Sequence, residues 1–166
     1  MTTDTRIAPA RYEPLMSSYL AQHKANERWV INTIDWDGTT LRAHVSLIGW
    51  SNSETDENRF HVSIFSIREI DAQLGIIGLH LKLGLEQKTA EVWLLKCVEE
   101  CRKAIRDPNN VMVSMTFNIR STKSGKLLSE RRSTITDPNG GHIDLSFVTY
   151  LPQDFPEFGA KETDHE

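Results

Sequence analysis

The stretch Ile67-Arg-Glu-Ile-Asp-Ala-Gln-Leu-Gly75-Ile-Ile-Gly78-Leu-His-Leu-Lys-Leu-Gly84-Leu85 decides how the chain reads. Ile67, Ile70, Leu74, Ile77 and Leu81 recur at the three- and four-residue intervals of one helix face, while Ile76, Leu79, Leu83 and Leu85 fill the other sides. A helix that is apolar nearly all round is buried. Gly75, Gly78 and Gly84 lie within it, although each glycine costs about 1 kcal/mol against alanine in a helix interior. Their presence implies that another element approaches the helix backbone closely, and that the helix breaks near Gly84.

The flanking sequence supplies what would cover such a helix. Over residues 29–48, Val30, Asn32, Ile34 and Trp36 alternate with Trp29, Ile31, Thr33 and Asp35. Asp37-Gly38 then offers a two-residue hairpin turn, and Leu41, Ala43, Val45 and Leu47 alternate on the return. Residues 51–58 are polar and read as a loop. Residues 60–65 read as a third strand, with Phe60, Val62 and Ile64 on one face. Beyond the helix, Val92, Trp93, Cys97, Cys101, Ala104 and Ile105 fall at helical spacing, which predicts a second helix over residues 89–106 ending at Asp107-Pro108. Three more strands come after it. Val111, Val113, Met115, Phe117 and Ile119 alternate in the first, residues 127–136 form the second, and Ile143, Leu145, Phe147 and Thr149 the last. Turns at Lys123-Ser-Gly125 and Pro138-Asn-Gly-Gly141 separate them. Leu15, Met16, Tyr19 and Leu20 after Pro14 predict a short covering helix within residues 12–23.

The 166 residues carry 19 Lys and Arg against 23 Asp and Glu, a formal net charge of -4. That length suits one domain, and the mild acidity without a basic block argues against a nucleic-acid surface. Cys97 and Cys101 lack zinc or redox spacing and read as reduced packing residues, so neither a metal nor another cofactor is implied. No apolar run suits export or a membrane span, which predicts a cytoplasmic protein. The expected organisation is a flexible tail over residues 1–10, a single domain over 11–151 and a second tail over 152–166.

The order of elements resembles the hotdog fold, an α+β arrangement in which a curved antiparallel sheet wraps a long central helix, here with a second helix added. Glu69-Ile-Asp-Ala-Gln-Leu-Gly75 is similar to the Glu-x-x-Ala-Gln-x-Gly run of the hotdog dehydratases of fatty-acid synthesis. Phe65-Ser-Ile-Arg-Glu69 and Asp137-Pro-Asn-Gly-Gly141 look like the FcoT family of long-chain acyl-CoA thioesterases. There are departures from both patterns. The His-Phe-Pro-Gly run of the dehydratases has no counterpart in residues 51–59. Ser66 stands where the FcoT pattern has asparagine, and Leu15 and Asn58 stand where it has tyrosines. The resemblance implies a homodimer or higher homo-oligomer acting on a fatty-acyl thioester of CoA or an acyl carrier protein. Hydrolysis is the first reading. A lyase or aza-Michael reaction at the β-carbon of an unsaturated acyl chain is the alternative, and a non-catalytic acyl-binding partner is a further one.

Within that frame Glu69, at the start of the central helix, is the expected catalytic carboxylate. An apolar tunnel would raise its pKa toward proton transfer, whereas a solvent-facing position would make it only a helix-end charge. His61 is the second catalytic candidate if it faces the pocket. The backbone around Ile67 and Arg68 would take the thioester oxygen as it becomes negative. Glu69, Gln73, Ile76 and His80 fall on one helix face, so Gln73 would align the thioester and His80 would sit deeper. The alternative for His80 is a hydrogen-bonded core histidine. Arg68 would bind a co-substrate carboxylate in a fork, or lie in solvent at the helix end. Ser66 has no histidine at motif spacing and at most donates a hydrogen bond. Of Arg131 and Arg132, adjacent in a strand, at most one meets a CoA phosphate or acidic carrier.

Overall fold

The computed structural model describes residues 5–16, 27–50, 60–88, 91–122 and 127–151. Among the described residues seven strands form one antiparallel sheet: β1 (Thr5–Ile7), β2 (Arg28–Trp36), β3 (Thr40–Gly49), β4 (Trp93–Lys103), β5 (Val111–Ser121), β6 (Leu127–Thr136) and β7 (His142–Leu151). Their order across the sheet is β1-β2-β3-β5-β6-β7-β4. A four-residue helix α1 (Pro9–Tyr12) and a 3-10 turn (Glu13–Leu15) lie between β1 and β2, and the long helix α2 (Ile64–Lys82) links β3 to β4. That link carries the chain from the middle of the sheet to its far edge.

The face predicted for α2 is the face that packs. Ile67, Ile70, Leu74 and Ile77 are fully buried, in one cluster with Leu41, Val45, Val113, Met115 and Ile135 of the sheet. Each such side chain contributes about 1.5–3 kcal/mol on leaving water, which makes this layer the main source of stability. Gly78 sits where an added Cβ would lie 2.3 Å from the Phe117 ring, and Gly84 ends the helix region with φ +69°. Both match the close approach and the break that the sequence implied.

Several expectations need correction. The segment expected as a second helix over residues 89–106 is strand β4, paired with β7 along Trp93–Lys103. Register shifts between Leu94 and Lys96 and between Cys101 and Lys103 interrupt its alternation, and exposed apolar side chains occupy both faces, so its period-two signal is lost. Residues 60–63 are extended but not a strand. Phe60 and Val62 are buried and His61 is exposed, yet the Ser63 side chain accepts the Ser66 amide and starts α2 at Ile64, three residues earlier than expected. In β2 a shift between Ile31 and Thr33 changes the alternation, so that Trp29 and Ile34 both face the core. The first hairpin turn has two residues, but they are Gly38 and Thr39, between Asp37 and Thr40 whose backbones are bonded at 3.3 Å, one place later than Asp37-Gly38. The Asp37 carboxylate accepts the amides of Thr39 and Thr40. Residues 5–7 belong to the sheet, not to a tail. Of the expected N-terminal helix, the described part is α1 and the 3-10 turn, with Leu15 fully buried. Residues 17–26, the loop over 51–59, the turn at residues 123–126 and the tail over 152–166 lie outside the described residues.

Asp137 ties the turn before β7 to the segment that leaves β4. Its carboxylate accepts the amides of Arg106 at 2.6 Å, Asp107 at 2.9 Å and Gly141 at 2.6 Å. Burial pushes this carboxyl up, but the backbone donors outweigh it and hold it below the usual carboxylate range. A group depressed in the folded state stabilises fully above its unfolded pKa, roughly 3.9, and that stability is lost as pH falls through the lower folded value. Asp137→Ala is therefore expected to remove roughly 2 kcal/mol or more at pH 7 and to flatten the acid limb of stability, as read by urea unfolding at several pH values.

Candidate functional site

The start of α2 gathers the polar side chains. Ser63 caps the helix, and Glu27 accepts from both the Ser63 amide at 3.1 Å and its hydroxyl at 2.8 Å. The Ile67 amide is bonded to the Ser63 carbonyl at 3.0 Å, so it is not a donor for a ligand. The amides of Ile64, Phe65 and Ser66 have no helix carbonyl behind them. Since the Ser63 hydroxyl takes that of Ser66, those of Ile64 and Phe65 are the ones left without a partner among the described residues, almost one turn before the expected oxyanion position. Ser66 is fully buried, its amide and hydroxyl both directed at Ser63.

Glu69 is half-buried and accepts a hydrogen bond from the Trp29 indole at 3.3 Å. Trp29 is almost fully buried, which fixes that donor. Gln73, Ile76 and His80 follow Glu69 along the same face and are buried. His80 Nδ1 lies 2.7 Å from the Ile76 carbonyl. Burial pushes its imidazole below the ordinary histidine value. His61 is exposed on the segment entering the helix, on the side opposite Phe60 and Val62.

Arg68 is placed differently from a carboxylate receptor. Its Nε and Nη2 donate to Glu99 of β4 at 2.7 and 2.9 Å, a fork that already holds a carboxylate. These hydrogen bonds raise the Arg68 pKa further. Beneath it lies a second ion pair, Asp71 of α2 with Arg131 of β6, both buried. The Arg131 guanidinium stacks over the Phe147 ring at 4.3 Å. It passes so close to Gly75 that a Cβ there would lie 1.7 Å from Nη1, which explains that glycine. Arg131 is thus a core residue and not a phosphate contact, while Arg132 is exposed on the other face of the strand.

Glu69 is indicated by the resemblance to the Glu-x-x-Ala-Gln-x-Gly run, and helix periodicity places Gln73 and His80 on its face. Trp29, Glu27 and the Asp71–Arg131 pair were not legible, because each is joined to its partner by tertiary packing. The one available hint was an aspartate one helical turn from both Ile67 and Gly75. Among the described residues no group of three or more His, Cys, Asp and Glu is placed to hold a metal. A groove of about 290 Å³ lined by Val98, Glu100, Arg132, Thr134, Asp144 and neighbours runs along the outer face of the sheet, which the Glu69 side chain does not reach.

No protein-family model and no curated protein matches the chain. Solved structures do match. An HP0420 homologue from Helicobacter felis aligns at a TM-score of 0.53, with 10% identity over 88% of this chain and 92% of that one. The chain has the hotdog fold. The dehydratase heterocomplex ApeI:P from Xenorhabdus doucetiae, at 0.52 and 15% identity, covers 89% of this hotdog chain and 93% of its own. The smu.793 protein from Streptococcus mutans UA159, solved bound to acetyl CoA, gives 0.52 at 8% identity over 78% and 90%. At such identities the likeness is one of fold. No described helix is long and apolar enough to cross a membrane.

Proposed function

We propose that the chain is a hotdog enzyme that hydrolyses a fatty-acyl thioester presented by CoA or an acyl carrier protein, and that it works as a homodimer or higher homo-oligomer. The observation that carries this is the half-buried Glu69 held by Trp29, just over one turn inside a helix whose first two amides have no partner among the described residues. In this reading the thioester oxygen lies against the amides of Ile64 and Phe65, where the helix start favours developing negative charge. Glu69 takes a proton from water, whose oxygen adds to the carbonyl carbon. The C–S bond then breaks, and the proton on Glu69 passes to the departing thiolate. Gln73 and Ile76 continue the same helix face and would guide the acyl chain, with His80 deeper. His61 would act only from a second subunit or after movement, since it lies on the exposed side of its own segment. The acetyl CoA seen with the Streptococcus mutans neighbour is compatible with such a substrate.

Pairing of subunits is supported by β4. It is an edge strand with exposed Trp93, Leu94, Leu95 and Val98, and Phe65 of the nearby helix start is 69% exposed. Among the described residues β4 has no partner on its outer edge, and the apolar start of the strand makes that edge a template for another strand.

The β-carbon reading keeps support from the Glu-x-x-Ala-Gln-x-Gly run and from the dehydratase neighbour. Against it, the Arg68 fork is filled by Glu99, so an amino-acid carboxylate would have to displace that partner. Incubation with saturated and α,β-unsaturated acyl thioesters, with and without glycine, separates the two. Thiol release from both substrates is expected. A glycine or water adduct without thiol release would support the lyase. Absence of turnover, with ligand binding unchanged in Glu69→Gln, would support an acyl-binding partner.

A further inference from the structure

The edge strand carries more than a general capacity to pair: its side chains select one register for the subunit pairing of the proposed function, and the inference rests on that pairing. Between its two register shifts, β4 is regular over residues 96–101, from Lys96 opposite Val148 to Cys101 opposite Ile143. Cys97 and Glu99 lie opposite the buried Phe147 and Leu145, on the helix side of the sheet, while Lys96, Val98 and Glu100 lie opposite Val148, Ser146 and Asp144 on the outer side. An antiparallel pairing of two copies places a two-fold axis normal to the sheet and keeps both helices on one side. Residues directly opposite then share a face, so the axis must pass beside a residue and not between two.

Four centres keep three or more residues of the regular segments together, and the one on Glu100 sets that carboxylate against its own copy. Centred on Glu99, the pairing sets Glu99 against its own copy and Val98 against the partner's Glu100, and like charges directly opposite destabilise a strand pair. Centred on Cys97, it sets Lys96 against the partner's Val98 and offers that ammonium no opposite charge. Centred on Val98, it sets Val98 against the partner's Val98 and gives Lys96 the partner's Glu100 twice over, once on each side of the axis. Lys96 makes no ion pair with any described residue, so no existing contact is lost. Among the described residues Glu100 meets only Arg102, at 3.4 Å in a pair exposed at both ends, and Arg102 keeps Asp144 at 3.0 Å. We propose that two copies join β4 to β4 in this register, centred on Val98 and selected by the reciprocal Lys96–Glu100 pairs. Glu99 then lies beside the partner's Cys97, and the Arg68–Glu99 fork borders the seam next to the candidate site.

The test is a charge exchange read by sedimentation equilibrium, with circular dichroism as the check on folding. K96E and E100K are each expected to weaken the dimer on the order of tenfold or more, because both symmetric pairs become repulsive, and K96E/E100K to restore it to within about threefold. Val98→Cys in a Cys97→Ala/Cys101→Ala background is expected to give a covalent dimer under mild oxidation, since residues at the axis face each other across a distance a disulfide spans. A dimer whose affinity is unmoved by either single exchange, or that does not cross-link through position 98, overturns the register and leaves the dimer standing. A wild-type protein that stays at 18.9 kDa at all concentrations overturns the pairing itself, and with it the homodimer of the proposed function.

Discussion

Replacing Asp71 with alanine is expected to lower the free energy of unfolding by about 3–5 kcal/mol, a large share of the roughly 5–15 kcal/mol of a typical domain. Asp71 is fully buried and Arg131 is 5% exposed, so the substitution would leave a guanidinium in the core with no carboxylate to balance it. Stacking on Phe147 offsets only part of that cost. The pair itself is expected to add little. Asp71 Oδ1, Arg131 Nε and the Ser133 hydroxyl make no hydrogen bond to a described residue, so the cluster is incompletely satisfied. Asp71→Leu combined with Arg131→Met should therefore recover most of the loss. Gly75→Ala should act like the single substitution, since its Cβ would displace Arg131. Urea unfolding of the two single variants and the double checks this, and an Asp71→Ala loss below about 1 kcal/mol would show that the ion pair is not held as described.

Glu69→Gln is expected to reduce kcat on the order of a hundredfold to ten-thousandfold, the usual contribution of a positioned general base, with KM changed little. The amide has nearly the shape of the carboxylate and can still accept from Trp29, but it cannot take a proton from water. Trp29→Phe tests the positioning. It keeps the buried ring and removes the donor, so a smaller fall in kcat with an altered pH profile is expected. A rate that is unchanged in Glu69→Gln, in protein of unchanged melting temperature, would remove Glu69 from the chemistry.

Much of the fold was legible because it is written in periods. The burial of α2 followed from Ile67, Ile70, Leu74 and Ile77, β5 and β7 from alternation, and β6 from the glycine-containing turns on either side of it. What misled was a loss of period. Two register shifts in β4 and apolar side chains on both of its faces left Val92, Trp93, Cys97 and Cys101 at helical spacing. Residues 60–64 alternate like a strand, yet one side-chain cap at Ser63 sets the helix start and so decides which amides remain open. The site divides in the same way. Glu69, Gln73 and His80 share a helix face that can be counted from the sequence. Trp29, which aims Glu69, lies forty residues away, and Arg131, which holds Asp71, sixty. Such pairings come from sheet order and crossover, which local pattern does not encode.

The central claim is hydrolysis at the start of α2, and the most direct measurement is turnover of a long-chain acyl-CoA in heavy-oxygen water, followed by mass spectrometry of both products. The account predicts a free fatty acid carrying one heavy oxygen in its carboxyl group, with an equal amount of free CoA thiol. It also predicts that both disappear together in Glu69→Gln. An intact thioester bearing an added group at its β-carbon, or heavy oxygen there and not in a carboxyl group, would contradict it.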